Sequence, residues 1–288
     1  MTDRLAVRRT PKLFIGGKFP RSESGRSYEV VAADGSFLAQ AALASRKDGR
    51  DAVVAARSAQ PGWASATAYN RGQVLYRVAE LLEGRRDQLV AEVTDGEGLS
   101  VTDAQAQVDA SIDRLVWYAG WSDKITVIDG AQNPVAGPYF SFTTPEPTGV
   151  VAAFAPETPS LLGLVSVIAP IVATGNTVVC VTSFAHPLPA VSLAEILATS
   201  DVPGGVINLL TGDRDEVAPR LASHRDVNAL DLTGFAGQDT TELEIAAADS
   251  VTRIRRAGPI DEDWTAEQNP RRMLAFMEAK TVWHPVGQ

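Results

Sequence analysis

The 288-residue sequence predicts an α/β protein: a parallel β-sheet wound in βα units, preceded by a mostly helical segment and joined by a separate β ribbon. Three observations predict it. Between residues 149 and 257, short apolar, β-branched runs alternate with helical segments. Upstream, apolar residues recur at helical spacing. Between them, residues 128–149 follow neither pattern and are rich in Pro and Gly.

In chain order, residues 1–12 are basic and polar and are expected to form a mobile tail. Short β-like pieces follow: KLFIGGKFP, SGRSYEV and FLAQAALA. Gly16-Gly17 stands between apolar residues and predicts a hairpin turn. Asp48 or Asp51 is the expected cap of a helix through DAVVAARSAQ that ends before Pro61-Gly62. Asn70 is the expected cap of the next helix. There Val74, Leu75, Val78, Leu81 and Leu82 mark one face, with Arg77, Glu80 and Glu83 opposite, and RRDQLVAEVTDGEG continues the pattern. A third helix, TDAQAQVDASIDRLVWYAGWSDKI, ends in Trp117, Tyr118 and Trp121, expected as core packing. Alternation across Tyr139, Phe140, Phe142 and Thr144 predicts a ribbon strand. Then come strands VVAAFAP, TVVCVT, VINLLTG and VNALDLTG, interleaved with helices LLGLVSVIAPIVAT, PAVSLAEILATS and DEVAPRLAS. Beyond Gly258 the chain turns polar, and a short helix, RRMLAFMEA, leads to a β-like tail, KTVWHPVGQ.

Composition narrows function. A net charge of −9 argues against nucleic acid or an anionic membrane as partner. No apolar run reaches the ~18 residues of a membrane span, and the N-terminal segment lacks the apolar stretch of a secretory signal. The lone Cys180 cannot form an internal disulfide, so a cytoplasmic location is expected. His186, His224 and His284 lack zinc-site spacing, and no metal is expected. Asp261, Glu262 and Asp263 are expected to form a solvated loop, while Asp226 and Asp231 flank a strand as structural residues.

The runs GVVAAFAPETPSLLG, GNTVV, DVPGGVINLLTG and LDLTG resemble the Rossmann-like cofactor domain of the NAD(P)-dependent aldehyde dehydrogenase superfamily. The stretch from LFIGGKF through QPGWA to WYAGWSDK resembles the helical part of that domain, YFSFTTPEPTGVV its oligomerisation hairpin, and KTVWHPVG its C-terminal strand. The resemblance implies a cofactor-type domain in residues 1–128 and 150–260. It implies a ribbon in 129–149 and 279–288, carrying Val282, Trp283 and His284 beside the β residues above. A connector, 261–278, stands where the catalytic domain is expected and absent.

Against that family the functional positions depart. The family's Pro-Trp-Asn step, whose Asn amide helps stabilise an oxyanion, reads Pro156-Glu157-Thr158 here. A glutamate there repels a developing anion. The lysine and glutamate that hold the cofactor ribose become Val181 and Phe184, which offer no hydrogen bond. In the Gly-Ser loop over which the pyrophosphate sits, Gly234 is kept, Phe235 replaces the serine and Asp239 a second glycine. A carboxylate at a helix start competes with a phosphate for the same N–H groups. RIRRAGPI lacks the family's glutamate base, no cysteine follows Cys180, and Cys180 lies in an apolar strand.

The resemblance with these departures implies a catalytically inactive subunit, structural or regulatory, assembling with a full-length aldehyde dehydrogenase or with a second copy of itself. No cofactor is expected, or NAD(P) at most weakly. The face that the catalytic lobe covers is expected to be bare and to need a partner. The alternatives are an NAD(P)-dependent aldehyde oxidoreductase, a weak nucleotide-binding sensor and one half of a split enzyme.

Overall fold

The structure, a computed structural model, describes residues 9–260 and 262–287. Strands β1 (Ser27–Val31) and β2 (Phe37–Ala42) pair antiparallel. Helices α1 (Arg46–Ser65), α2 (Ala68–Glu83), α3 (Arg86–Glu97), α4 (Val101–Trp121) and the short α5 (Ile125–Asp129) follow. Next come β3 (Ala131–Asn133), β4 (Tyr139–Pro147), β5 (Val150–Phe154), α6 (Ser160–Ala173), β6 (Thr177–Val181), α7 (Leu188–Thr199), β7 (Ile207–Leu210) and α8 (Arg214–Ala222). The chain closes with β8 (Ala229–Asp231), α9 (Thr241–Ala248), β9 (Arg253–Arg255), α10 (Arg271–Leu274) and β10 (Met277–Pro285).

The main sheet is parallel, in the order β7-β6-β5-β8-β9. Its central strands β5 and β6 are apolar on both faces because both faces are covered. Val151, Ala153, Val178 and Cys180 face a core shared with α2, α4, α6 and α7. Val150, Ala152, Phe154, Val179 and Val181 face a second core shared with α1 and α8. The strand order turns back at β5, which places the carboxyl ends of β5, β6 and β8 around one crevice. Gly16 and Gly17, with φ of 62° and 77°, make the expected turn between bridged Ile15 and Lys18.

The ribbon is a separate antiparallel sheet, β10-β4-β3. β10 pairs along all of β4, from Met277 opposite Pro147 to Pro285 opposite Tyr139. Thr143 and Thr281 share a hydroxyl hydrogen bond of 2.9 Å across it.

Several local expectations are corrected. Residues 1–8 lie outside the described residues, but Arg9 is held rather than loose: it donates to Glu92, Ser192 and Glu195 at 2.5, 2.8 and 3.1 Å. Helix α1 is capped by Ser45, and Asp48 is the third helical residue, accepting from the Ser45 N–H in a capping box. The helix runs through Pro61 because Trp63 is buried beyond it and donates its indole N–H to the Val172 carbonyl at 2.9 Å. Thr67, not Asn70, caps α2, accepting from the Asn70 N–H at 3.2 Å. A fifth parallel strand, β9, was not anticipated, since its Arg-Ile-Arg sequence reads as loop. The helix expected over RRMLAFMEA lasts only Arg271–Leu274, and β10 begins at Met277.

The connector packs on the helical layer of the main core, over α4 and α6. Met273 and Phe276 are fully buried in the main core. Arg114 on α4 reaches across to the Trp264 carbonyl at 2.6 Å. Glu262 pairs with Arg272 at 2.6 Å, so it is not merely solvated, while Asp261 lies outside the described residues. Tyr118 is buried as expected, with Trp117 and Trp121 stacked beside it. Among the described residues no helix is long and apolar enough to cross a membrane.

Candidate functional site

The parallel register puts Phe154 of β5 beside Val181 of β6, so the loops that leave these strands are neighbours. The β5 loop carries Pro156, Glu157 and Thr158, and the β6 loop carries Ser183, Phe184 and Ala185. Pro156 packs so closely on α6 that a side chain at Gly163 would collide with its ring. Thr158 is exposed at the end of the loop.

Glu157 turns toward the β6 loop. Its Oε2 accepts from the Ser183 hydroxyl at 2.8 Å, the Phe184 N–H at 2.9 Å and the Ala185 N–H at 3.1 Å. Its Oε1 lies 3.9 Å from Nη1 of Arg214. The sequence reading took Glu157 as a repulsive neighbour and missed that it is a hydrogen-bonded one. The sequence offered only that the loops after adjacent parallel strands are neighbours, not which groups meet there.

Val181 is buried and contributes only its carbonyl, which accepts from the Ala155 N–H at 2.9 Å. Phe184 stacks on Tyr28 of β1, with ring centroids 4.5 Å apart and planes at 13°. The Tyr28 hydroxyl is buried without a hydrogen-bond partner among the described residues. Burial, and then the Glu157 charge, push its pKa well up.

The third loop follows β8. Gly234 lies so close to the Ala155 and Phe154 carbonyls that no side chain fits there. Phe235 is buried, edge-on to Phe154 at 5.0 Å, with the Arg214 guanidinium 4.9 Å above its ring. Arg214 also donates to the Gly234 carbonyl. Asp239 is exposed and accepts from the Thr241 N–H and hydroxyl at 3.0 and 2.6 Å. Those bonds hold its carboxyl below the usual range and fill the first N–H of α9. The adjoining cavity, about 350 Å³, is lined by Asp215, Asp239 and Glu242 with no basic side chain. It disfavours a phosphate.

These residues do not supply the donors that the family resemblance assigns to a dinucleotide. Val181 offers no polar side-chain atom, the Phe184 ring is engaged, and carboxylates occupy the N–H groups of two loops.

Cys180 is wholly buried in mid-sheet, and burial, then the Asp231 charge, push its thiol pKa up. The segment RIRR has become β9, where Arg255 pairs with the buried Asp231 at 3.2 Å and donates to Thr233 at 2.6 Å. Among the described residues no cluster of His, Cys, Asp or Glu is arranged to hold a metal ion.

The interface candidates fall on two faces of the ribbon, because strand side chains alternate. Tyr139 and Trp283 meet edge-on at 5.7 Å on one face, exposed by 45% and 56%. Phe140, Phe142, Thr144, Val282 and His284 lie on the other, where Phe140 is 43% exposed and Phe142, Thr144 and Val282 are half-buried.

The aldehyde dehydrogenase family model matches residues 19–255. The chain is 34% identical over 258 residues to the cytosolic 10-formyltetrahydrofolate dehydrogenase of Pongo abelii, and over 259 residues to that of Mus musculus. Each alignment covers 87% of this chain and 28% of the relative. A betaine aldehyde dehydrogenase from Staphylococcus aureus, solved with NAD+, superposes with a TM-score of 0.80 at 25% identity, over 85% of this chain and 48% of that one. A mutant aldehyde dehydrogenase from Bacillus cereus gives a TM-score of 0.78 at 27% identity, over 85% and 50%. The chain thus spans about half the length of these solved proteins and 28% of the two relatives.

Proposed function

Because this chain belongs to the aldehyde dehydrogenase family, we propose that it acts as a catalytically inactive subunit, structural or regulatory, that assembles through its ribbon with a full-length aldehyde dehydrogenase. The observation that carries this reading is the state of the ribbon. Among the described residues β10 is an edge strand, exposed along nearly all its length, with one side of its backbone unpaired. Such an edge is a template for pairing with another chain. Trp283 stands exposed on that edge, with Tyr139 and Phe140 exposed on the neighbouring strand β4, and aromatic side chains are the usual anchors of interfaces.

Two observations support inactivity. The chain's one thiol, Cys180, is buried away from any crevice and kept protonated. The residues at the cofactor edge are tied to one another rather than presented to a ligand. A cytoplasmic location belongs to the same reading, and one relative is named as cytosolic.

Native mass spectrometry of the chain purified gently from its own cells tests the proposal. A mixed complex with a full-length aldehyde dehydrogenase is the expected result. A homo-oligomer would make a second copy the partner, and a bare monomer would remove the subunit reading.

Similarity to enzymes such as the NAD+-bound betaine aldehyde dehydrogenase favours a second reading, an NAD(P)-dependent aldehyde oxidoreductase that binds its cofactor weakly. Aldehyde-dependent NADH formation by the purified chain, abolished in Cys180→Ala, would establish it over the first. Absence of binding in a calorimetric titration with millimolar NAD, NADP and AMP would remove a nucleotide sensor.

A further inference from the structure

We infer that Glu157 is a resident anion in the chain's own ligand crevice, an autoinhibitory contact that closes the loop Ser183–Ala185 to outside oxyanions. Three donors converge on one of its oxygens: the Ser183 hydroxyl and the N–H groups of Phe184 and Ala185, at 2.8, 2.9 and 3.1 Å. Successive main-chain N–H groups aimed at one point form an anion-accepting concavity. The second carboxylate oxygen faces Arg214 at 3.9 Å.

The surroundings fix this arrangement. The Ser183 oxygen already accepts from the His186 N–H at 2.9 Å, so the hydroxyl proton is left to point at Glu157. Phe184 is pinned against Tyr28, which holds the loop in place. Arg214 is tied to the Gly234 carbonyl and leans on Phe235, so its charge stays beside the loop.

Removing the carboxylate opens two N–H groups and a hydroxyl to solvent, next to a fixed guanidinium. Convergent donors beside a guanidinium favour an oxyanion over water, because hydrogen bonds to a charged acceptor are the stronger ones. The chemical class is therefore a small carboxylate or phosphate, and Glu157 outcompetes it because it is covalently present. The inference stands on this contact alone and does not depend on whether the chain assembles.

The test uses the full chain with acetate and inorganic phosphate as probes, at ionic strength held constant with sodium chloride. Amide NMR signals of Phe184 and Ala185 are followed in wild type and Glu157→Ala. Both signals should shift saturably in the variant, with half-saturation at least about tenfold lower in concentration than for any response of the wild type, the size expected for one charge-assisted hydrogen bond. Equal responses in the two proteins, or no saturable shift in the variant, would overturn the inference. Glu157→Gln keeps the shape and loses the charge, and it decides the matter should the alanine variant not fold. Hydrogen exchange at Phe184 and Ala185 should then quicken about tenfold relative to wild type, and unchanged exchange would overturn the inference as well.

Discussion

Phe184 lies flat on Tyr28, ring centroids 4.5 Å apart, and this stack ties the loop after β6 to the hairpin β1-β2. Tyr28 and Leu188 both pack against the small apolar cluster of Val30, Ala39 and Ala41. The position that the family resemblance assigns to a ribose contact is therefore part of the packing between two elements of the fold. Phe184→Ala should lower stability by about 1 kcal/mol, the worth of an aromatic pair, measured by urea unfolding. No change would mean that the stack is incidental.

Cys180 should be inert in the folded protein. Burial favours the neutral thiol, and only the thiolate attacks. At pH 8 a thiol-specific disulfide reagent should react stoichiometrically with the unfolded chain and orders of magnitude more slowly with the native one. A fast, complete reaction of the native chain would place the thiol in an open site instead.

Tyr118 gives the fold an alkaline weakness. It is buried, and burial pushes its pKa up to about 12, with Arg272 and Arg114 opposing the shift. Between pH 10 and 12 the unfolded chain releases this proton while the folded one holds it, so stability falls as pH rises. The loss approaches roughly 2 kcal/mol at the top of that window. Tyr118→Phe should remove this part of the alkaline decline, read as the difference between the two proteins' denaturation midpoints at pH 9 and pH 11.5.

The parallel sheet was legible because β5 is a continuous apolar run and β6 and β7 each carry only one polar residue, a pattern that arises when both faces of a strand are covered. β9 was hidden because two of its three side chains serve ion pairs, Arg253 with Glu278 and Arg255 with Asp231, and only Ile254 packs against a core. The end of α1 was misplaced because Pro61 was read as a stop. Tertiary burial of Trp63 holds the last turn regardless of the local signal. The candidate site was legible as substitutions at Val181, Phe184, Phe235 and Asp239, each a change of side-chain chemistry visible in one sequence. Where those side chains go was not legible. The Glu157 contact spans 26 residues, and the cover over α4 and α6 comes from residues far along the chain.

The central claim is that the ribbon joins this chain to a full-length aldehyde dehydrogenase. The most direct measurement compares native masses of the wild type and a Phe140→Asp/Trp283→Asp double variant, each isolated from the chain's own cells. Both positions are exposed, on opposite faces of the ribbon, so neither charge enters the core. The account predicts a mixed complex for the wild type and a folded, free chain for the variant. A variant that retains the complex, or a wild type found alone, would contradict it.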